Sequence, residues 1–181
     1  IKNNIKIEPW KKNRNRGKNI LIIPPTHAIQ WFFNDKEWYK NVILYLSKQF
    51  DDKFMNRVKV RKKPNDPVVD NYGNLLGFKK IKTENQSSLE EDLNDASIVI
   101  AYNSQVALEA TIRGIPVIVN KNNSCNEISF KMSDLNYNLN NPVFEEEPNR
   151  VKLFKWLSCC QYKMSELGNG SAWNFIEKFQ N

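Results

Sequence analysis

Short apolar runs alternate along this chain with longer stretches that have helical periodicity. The runs are "NILIIP", "SIVIAY" and "PVIVN", and the shorter "RVKVR" lies between the first and the second. A strand without a polar face must be covered on both sides, which is typical of a parallel sheet between layers of helices. The alternation therefore predicts an α/β fold, a Rossmann-like parallel sheet with helices on both faces.

The segments between the runs carry helix signals. One helix is predicted over "DKEWYKNVILYLSKQF", with Asp35 as its N-cap. A second helix begins at a capping box within "SSLEEDLNDA", and a third follows Ser104 and ends at Gly114. Between "RVKVR" and the capping box, the sequence predicts a loop over 65–77 and a short strand at 77–82.

The domain organisation follows from these patterns. Residues 1–18 form a basic N-terminal segment, and we expect its part from Lys11 to Lys18 to be mobile and peripheral. Residues 19–181 are predicted to form a single domain. Helices at about 149–180 add a helical C-terminal extension, in which Trp156, Trp173 and Phe175 are expected to belong to the core.

The chain has 181 residues and a net charge of +7, with basic clusters at "KKNRNRGK" and "VKVRKKP". Clustered lysine and arginine bind nucleic-acid phosphates without sequence preference. They also bind phosphorylated small molecules. A solvated basic face explains the first cluster equally well. Composition alone leaves these three interpretations open.

Cysteine usage indicates a reducing compartment. Two of the three cysteines, Cys159 and Cys160, are adjacent and so do not form a disulfide framework. No apolar run approaches the roughly 18 residues of a membrane span. We therefore expect a cytoplasmic protein without a membrane span. No signal peptide is recognisable, but the sequence begins at Ile1 rather than at methionine, which leaves open whether upstream sequence is missing.

Parallel α/β sheets bind their ligands at the carboxyl ends of the strands. Asn103 and Ser104 follow the central strand and begin a helix, where N–H groups and the helix dipole favour an anion such as phosphate. Arg61 and Lys63 follow another strand and would add positive charge. The alternative is that Asn103 and Ser104 are ordinary N-cap residues.

Two further residues are candidates for the site. Glu109 lies on the helix that follows Ser104, where a carboxylate can accept hydrogen bonds from ribose hydroxyls, or can form a surface ion pair with Arg113. His27 is the only histidine and follows the first strand, so a site role and a structural role are both open. Cysteine and histidine spacing fits no zinc site, and neither a G-x-G-x-x-G motif nor a Walker loop is present, so no metal and no tightly bound cofactor are expected.

The stretch "DLNDASIVIAYNSQVALEATIRGIPVIV" resembles the nucleotide-binding half of GT-B glycosyltransferases, especially the capsule-polysaccharide and sialyl- or Kdo-transferase-like branch. The matching features are Ser104, the Glu109–Ala110 pair and the Gly114–Ile115–Pro116 motif. "RKKP" is similar to a K-x-H-P motif of that branch, with Lys63 in place of histidine. The tail "CQYKMSELGNGSAW" is similar to small glycosyltransferase-like proteins of phages and marine bacteria.

The resemblance implies half of a GT-B architecture that binds a nucleotide-activated sugar, used in surface glycan or polysaccharide modification. Ser104 would hold the donor phosphate, Lys63 and Arg61 would balance its charge, and Glu109 would bind the donor's sugar hydroxyls. Transfer would be metal-independent. Enzymes of this kind work in a cleft between two domains, so the general base is either in a missing upstream domain, supplied by another subunit, or absent. No catalytic residue or acceptor is assigned.

Two alternatives to a glycosyltransferase remain open. One is a non-catalytic module that binds a nucleotide or a phospho-sugar. The other is a nucleic-acid-binding protein, which is disfavoured because the basic residues are not interleaved with aromatic residues.

Overall fold

The computed structural model describes residues 6–11, 17–63, 87–135, 147–159 and 164–177. These residues fall into two compact units. The first extends from Lys6 to Glu145 and contains the sheet, and the second contains the helices from Glu147 onward.

The first unit is built on a parallel sheet of four strands in the order β2-β1-β3-β4. The strands are β1 (Asn19–Ile23), β2 (Val58–Val60), β3 (Ala96–Ala101) and β4 (Val117–Val119). All four were predicted from the apolar runs, and the α/β fold with a Rossmann-like parallel sheet is confirmed. The additional strand predicted at 77–82 lies outside the described residues.

Helices connect these strands and follow the last one. The helices of the first unit are α1 (His27–Phe32), α2 (Trp38–Gln49), α3 (Asp52–Met55), α4 (Leu89–Asn94) and α5 (Gln105–Ile112), with 3₁₀ turns at Asn126–Ile128 and Met132–Asp134. The predicted capping box is confirmed at the start of α4, where Ser88 and Glu91 each accept a hydrogen bond from the other's backbone N–H. The helix predicted after Ser104 is confirmed as α5.

The start of α2 differs from the prediction. Asp35 is not its N-cap, because α2 begins after Glu37, whose side chain makes no capping hydrogen bond. The sequence analysis also missed α1, which Thr26 caps by accepting a hydrogen bond from the N–H of Ile29 at 3.4 Å. Asn34 has a positive φ of 50°, so the chain turns there between the two helices.

The two faces of the sheet bury different sets of residues. Ile20, Ile22, Ile98, Ile100 and Ile118 point to one face, where α2 packs against them through Val42, Ile43 and Leu46. Val58 and Val60 of β2 also belong to that face. Lys59 lies between them in the strand, so it points to the opposite face, where it donates a hydrogen bond to Asp92 of α4. Helices therefore cover both faces of the sheet, as the apolar strands predict.

The N-terminal segment is held against this unit at both of its described ends. The N–H of Lys11 donates to the carbonyl of Gly114 at 2.8 Å, and the carbonyl of Lys18 accepts from the Arg57 guanidinium at 2.6 Å. Gly114 has a φ of +68°, and a Cβ atom there would lie 2.1 Å from the carbonyl oxygen of Pro9. Residues 12–16, the centre of the segment predicted to be mobile, lie outside the described residues.

The second unit consists of α6 (Glu147–Cys159), α7 (Met164–Gly168) and α8 (Ser171–Glu177). These helices lie within the helical extension predicted at about 149–180, and Gly170, with a φ of +78°, separates α7 from α8. The prediction that Trp156 and Trp173 belong to the core is wrong, since they are 62% and 59% exposed. Leu153, Phe154 and Ala172 are buried instead. The side chain of Phe175 lies outside the described part.

Candidate functional site at the carboxyl edge of the sheet

The carboxyl ends of the four strands form one continuous edge of the first unit. Three backbone hydrogen bonds connect the residues that follow the strands: Arg61 N to Ile22 O at 2.9 Å, Tyr102 N to Ile23 O at 3.4 Å and Asn120 N to Ala101 O at 3.3 Å. The chain leaves β1 toward β2 on one side and returns to β3 on the other. This reversal is the switch point at which open α/β sheets bind ligands. The loops after β1 and β3 meet there.

Ser104 begins α5 at this switch point. Its hydroxyl oxygen accepts a hydrogen bond from the N–H of Val106 at 3.2 Å, so Ser104 is an N-cap. Of the two interpretations of Ser104, an anion site and an ordinary N-cap, the second predicts this bond. A hydroxyl that accepts one bond still has its own proton to donate. Capping and ligand binding are therefore compatible at Ser104. Asn103, the residue before it, is exposed at the same edge.

Asn123 fixes the loop that contains these residues. Its buried side-chain amide donates to the carbonyls of Tyr102 at 3.3 Å and Ser104 at 3.4 Å. Its side-chain oxygen accepts from the N–H of Cys125 at 2.9 Å. One side chain thus connects the loop after β4 to the loop after β3, which makes the edge between them a rigid surface. The sequence analysis did not single out Asn123.

Tyr102 carries an aromatic group to the same edge. Its ring contacts Trp38 edge-on, with 5.4 Å between the ring centroids. Burial, followed by the negative charge of the Asp35 carboxylate and hydrogen bonding to it, raises the pKa of Tyr102. The phenol therefore stays protonated at neutral pH.

Arg61 already has hydrogen-bond partners within the protein. Its guanidinium donates to the carboxylate of Asp92 at 2.6 Å and to the carbonyl of Ser87 at 2.8 Å. Lys59 donates to the other oxygen of that carboxylate at 2.5 Å and to the hydroxyl of Ser87 at 2.7 Å. The positive charge of Arg61 is thus partly balanced by Asp92, and its contact with a phosphate remains a prediction.

The Asp92 carboxylate is completely buried, whereas Lys59 and Arg61 are 18% and 20% exposed. Burial by itself raises the pKa of Asp92, but hydrogen bonds from Lys59, Ser87 and Arg61 outweigh burial and hold the pKa below its usual value. Asp92 is therefore charged at neutral pH. The cluster joins β2 to α4. No local pattern predicted it, because the pair Lys59 and Arg61 lies more than 25 residues from the pair Ser87 and Asp92.

Lys63 is exposed, two residues beyond Arg61 on the loop after β2. The rest of the "RKKP" motif, Pro64, lies outside the described residues. Lys63 is thus the exposed lysine of this motif, and its contact with an anion at the edge remains a prediction.

Glu109 is exposed on α5, and the structure gives Arg113 a different partner. The Arg113 guanidinium lies 3.8 Å from the carboxylate of Glu90 on α4, a loose contact because Glu90 is 72% exposed. The hypothesis of a Glu109–Arg113 surface pair thus has no support among the described contacts. The ribose hypothesis stays a prediction.

His27 is exposed as the first residue of α1, on the β1 side of the switch point. Of the predicted site residues, Asn103, Ser104, Arg61, Lys63 and His27 all follow a strand on the same edge of the sheet. Glu109 lies more than one turn into α5.

A pocket of about 540 Å³ lies at the carboxyl end of β4. None of the predicted site residues is in its lining, and Arg61 and Lys63 follow β2, the strand at the opposite edge of the sheet. The lining of the pocket includes Trp38, Asn120, Asn126, Ser129, Phe130 and Lys131. Its volume is within the range of small-molecule sites, about 300–1,000 Å³. Asn120 directly follows the apolar run "PVIV", so strand-end reasoning can find it, whereas Trp38 and Phe130 appear in the sequence only as ordinary apolar positions.

Within the described residues, no cluster of histidine, cysteine and acidic side chains has the geometry to hold a metal ion. None of the described helices has both the length and the apolar character that crossing a bilayer requires.

The fold and this edge define a doubly wound α/β protein with a ligand-sized pocket next to its switch point. No protein-family profile, curated protein or solved structure matches the chain.

Proposed function

We propose that this chain is a glycosyltransferase-like protein that binds a nucleotide-activated sugar at the carboxyl edge of its sheet. The observation that carries the proposal is the strand order β2-β1-β3-β4, which places the start of α5 at the switch point next to a pocket of about 540 Å³. The resemblance of Asp92–Val119 to the donor-binding half of GT-B enzymes supplies the class of ligand.

Charge supports a phosphate-containing ligand at this edge. The dipole of α5 favours a negative charge at its first turn, and the hydroxyl of Ser104 has a proton to donate. Lys63 supplies a full positive charge from the loop after β2. In transfer, the bond between the sugar and the nucleotide phosphate breaks, and these groups would stabilise the charge that develops on the departing phosphate oxygen without a metal ion.

The test is calorimetric titration with CMP, UDP and GDP and with the sugar conjugates of each. We expect at least one nucleotide to bind, and we expect Lys63→Ala to weaken its binding by about 1.5–3 kcal/mol, the range for a charge-assisted hydrogen bond. Lys48→Ala is the matched control, because Lys48 is an exposed lysine in the last turn of α2, away from the carboxyl edge. Equal affinities of the Lys63 and Lys48 variants would remove Lys63 from the site.

A second measurement separates an enzyme from a binding module. Incubation of the protein with the preferred nucleotide-sugar should release the free nucleotide, either by transfer or by slow hydrolysis. Tight binding of the donor without any release would be the result both for the non-catalytic alternative and for a donor-binding half that lacks the domain or subunit supplying its general base. Absence of binding to every nucleotide in the panel would overturn the proposal.

A further inference from the structure

We propose that the pocket at the carboxyl end of β4 holds the base of the nucleotide. This inference rests on the proposed function and specifies which part of the ligand the pocket binds. We call this cavity the β4 pocket, defined by Trp38, Asn120, Asn126, Ser129, Phe130 and Lys131.

The walls of the β4 pocket suit a flat, uncharged ring. Trp38 and Phe130 are partly buried and pack against the core of the sheet, so their positions are fixed before a ligand arrives. Stacking of a base on an aromatic side chain strengthens binding by about 5- to 150-fold. The aromatic walls therefore favour the base over the charged phosphates.

The polar groups of the pocket are mainly neutral, which also fits a base. Asn126 is exposed on its 3₁₀ turn, and an asparagine amide offers both a donor and an acceptor to the edge of a base. The hydroxyl of Ser129 is engaged by the backbone of β4, since it accepts from the N–H of Val119 at 2.9 Å. Ser129 thus shapes the pocket, and Asn126 is the group that can distinguish one base from another.

The position of the pocket connects it to the phosphate site. Trp38 contacts the ring of Tyr102, which is two residues before Ser104. Asn120 also lines the pocket, and its N–H donates to the carbonyl of Ala101 at the end of β3. These two contacts place the lining of the β4 pocket against the end of β3, so in this proposal the ribose and phosphate extend from the pocket toward the start of α5. Lys131 adds positive charge to the lining of the pocket.

The experiment compares ligands with and without a base on full-length variants. The ligands are CMP, UMP, GMP and AMP, with ribose 5-phosphate as the ligand that lacks a base, and the readout is Kd from calorimetry. We expect Phe130→Leu to weaken the preferred nucleotide about 5-fold or more and Asn126→Ala to weaken it about 3- to 10-fold. Both variants should leave the Kd of ribose 5-phosphate unchanged. Asn126→Ala should also reduce the differences in Kd among the four nucleotides.

Two controls keep the result interpretable. Phe54→Leu removes an aromatic ring that stacks on Phe50 near the start of β2, away from the pocket, and should not affect nucleotide binding. Asn126 is exposed, so its replacement should not prevent folding even if Phe130→Leu does.

The outcomes distinguish this inference from the proposed function. If a nucleotide binds and Asn126→Ala and Phe130→Leu bind it like the parent, the base is not in the β4 pocket although the proposed function stands. If these variants lose affinity equally for the nucleotide and for ribose 5-phosphate, the pocket holds the sugar or phosphate, and the inference is also overturned. If no nucleotide binds to the parent protein, both proposals are wrong.

Discussion

Replacement of Asp92 by asparagine tests how the carboxyl edge is held together. Asp92→Asn keeps the size of the side chain and one acceptor oxygen, but it leaves Lys59 and Arg61 without their buried counter-charge. Removal of one partner from a buried ion pair costs about 3–5 kcal/mol. Because Lys59 and Arg61 are 18% and 20% exposed and can be partly rehydrated, we expect the lower end, about 3 kcal/mol.

The assay is urea denaturation, with the free energy of unfolding measured for the parent and for Asp92→Asn between neutral and acid pH. The pKa of Asp92 is lower in the folded protein than its ordinary value of 3.8. Its contribution to stability is therefore fully present above pH 3.8, and it is lost as the pH falls through the lowered pKa. The difference in the free energy of unfolding between the parent and Asp92→Asn should be largest at neutral pH and should become smaller below pH 3.8.

Glu37→Gln provides the matched control. Glu37 pairs with Lys40 at 2.7 Å, but these side chains are 62% and 48% exposed, so the variant should lose less than about 1 kcal/mol. If Asp92→Asn also lowers the free energy of unfolding by less than about 1 kcal/mol, with no dependence on pH, the argument that the buried cluster of Asp92 with Lys59 and Arg61 stabilises the fold is refuted.

Three further variants test other parts of the first unit. Gly114→Ala should lower the free energy of unfolding by about 1–3 kcal/mol, because the φ of Gly114 is +68° and the new Cβ would lie 2.1 Å from a carbonyl oxygen of the N-terminal segment. In the same assay Gly168→Ala should have little effect, because a Cβ atom at Gly168 has no neighbour within 4 Å. Glu109→Gln should weaken nucleotide binding at least about tenfold while Arg113→Ala does not, and equal Kd values would exclude the ribose role. Asn123→Ala should cost about 1–3 kcal/mol in thermal denaturation, because its buried amide joins two loops, and an unchanged melting temperature would contradict that role.

Local signals in the sequence were sufficient for most of the secondary structure. The apolar runs located the four strands, and Ser88 and Ser104 marked the starts of α4 and α5. They failed at α1 and α2, since Asp35 looks like an N-cap in the sequence but α2 begins only after Glu37 in the fold. The energetic preference of a single capping residue, about 1 kcal/mol, is small enough for a tertiary contact to override.

The candidate site was predictable only in part. Strand ends pointed to Asn103, Ser104, Arg61, Lys63 and His27, because the carboxyl edge of a parallel sheet follows from the βαβ pattern. The partners of these residues were not predictable. The charge cluster of Arg61 and the aromatic wall of the β4 pocket each combine residues from distant segments.

The sequence by itself determined that the chain forms strands and helices in alternation, since a strand or a helix start depends on a few neighbouring residues. The tertiary structure decided that Asp92 neutralises Arg61, that Asn123 ties two loops together, and that Trp38 and Phe130 line one cavity. The physical reason is the strand order: it brings together segments far apart in the chain, and no local pattern of polar and apolar residues records which strand will lie beside which.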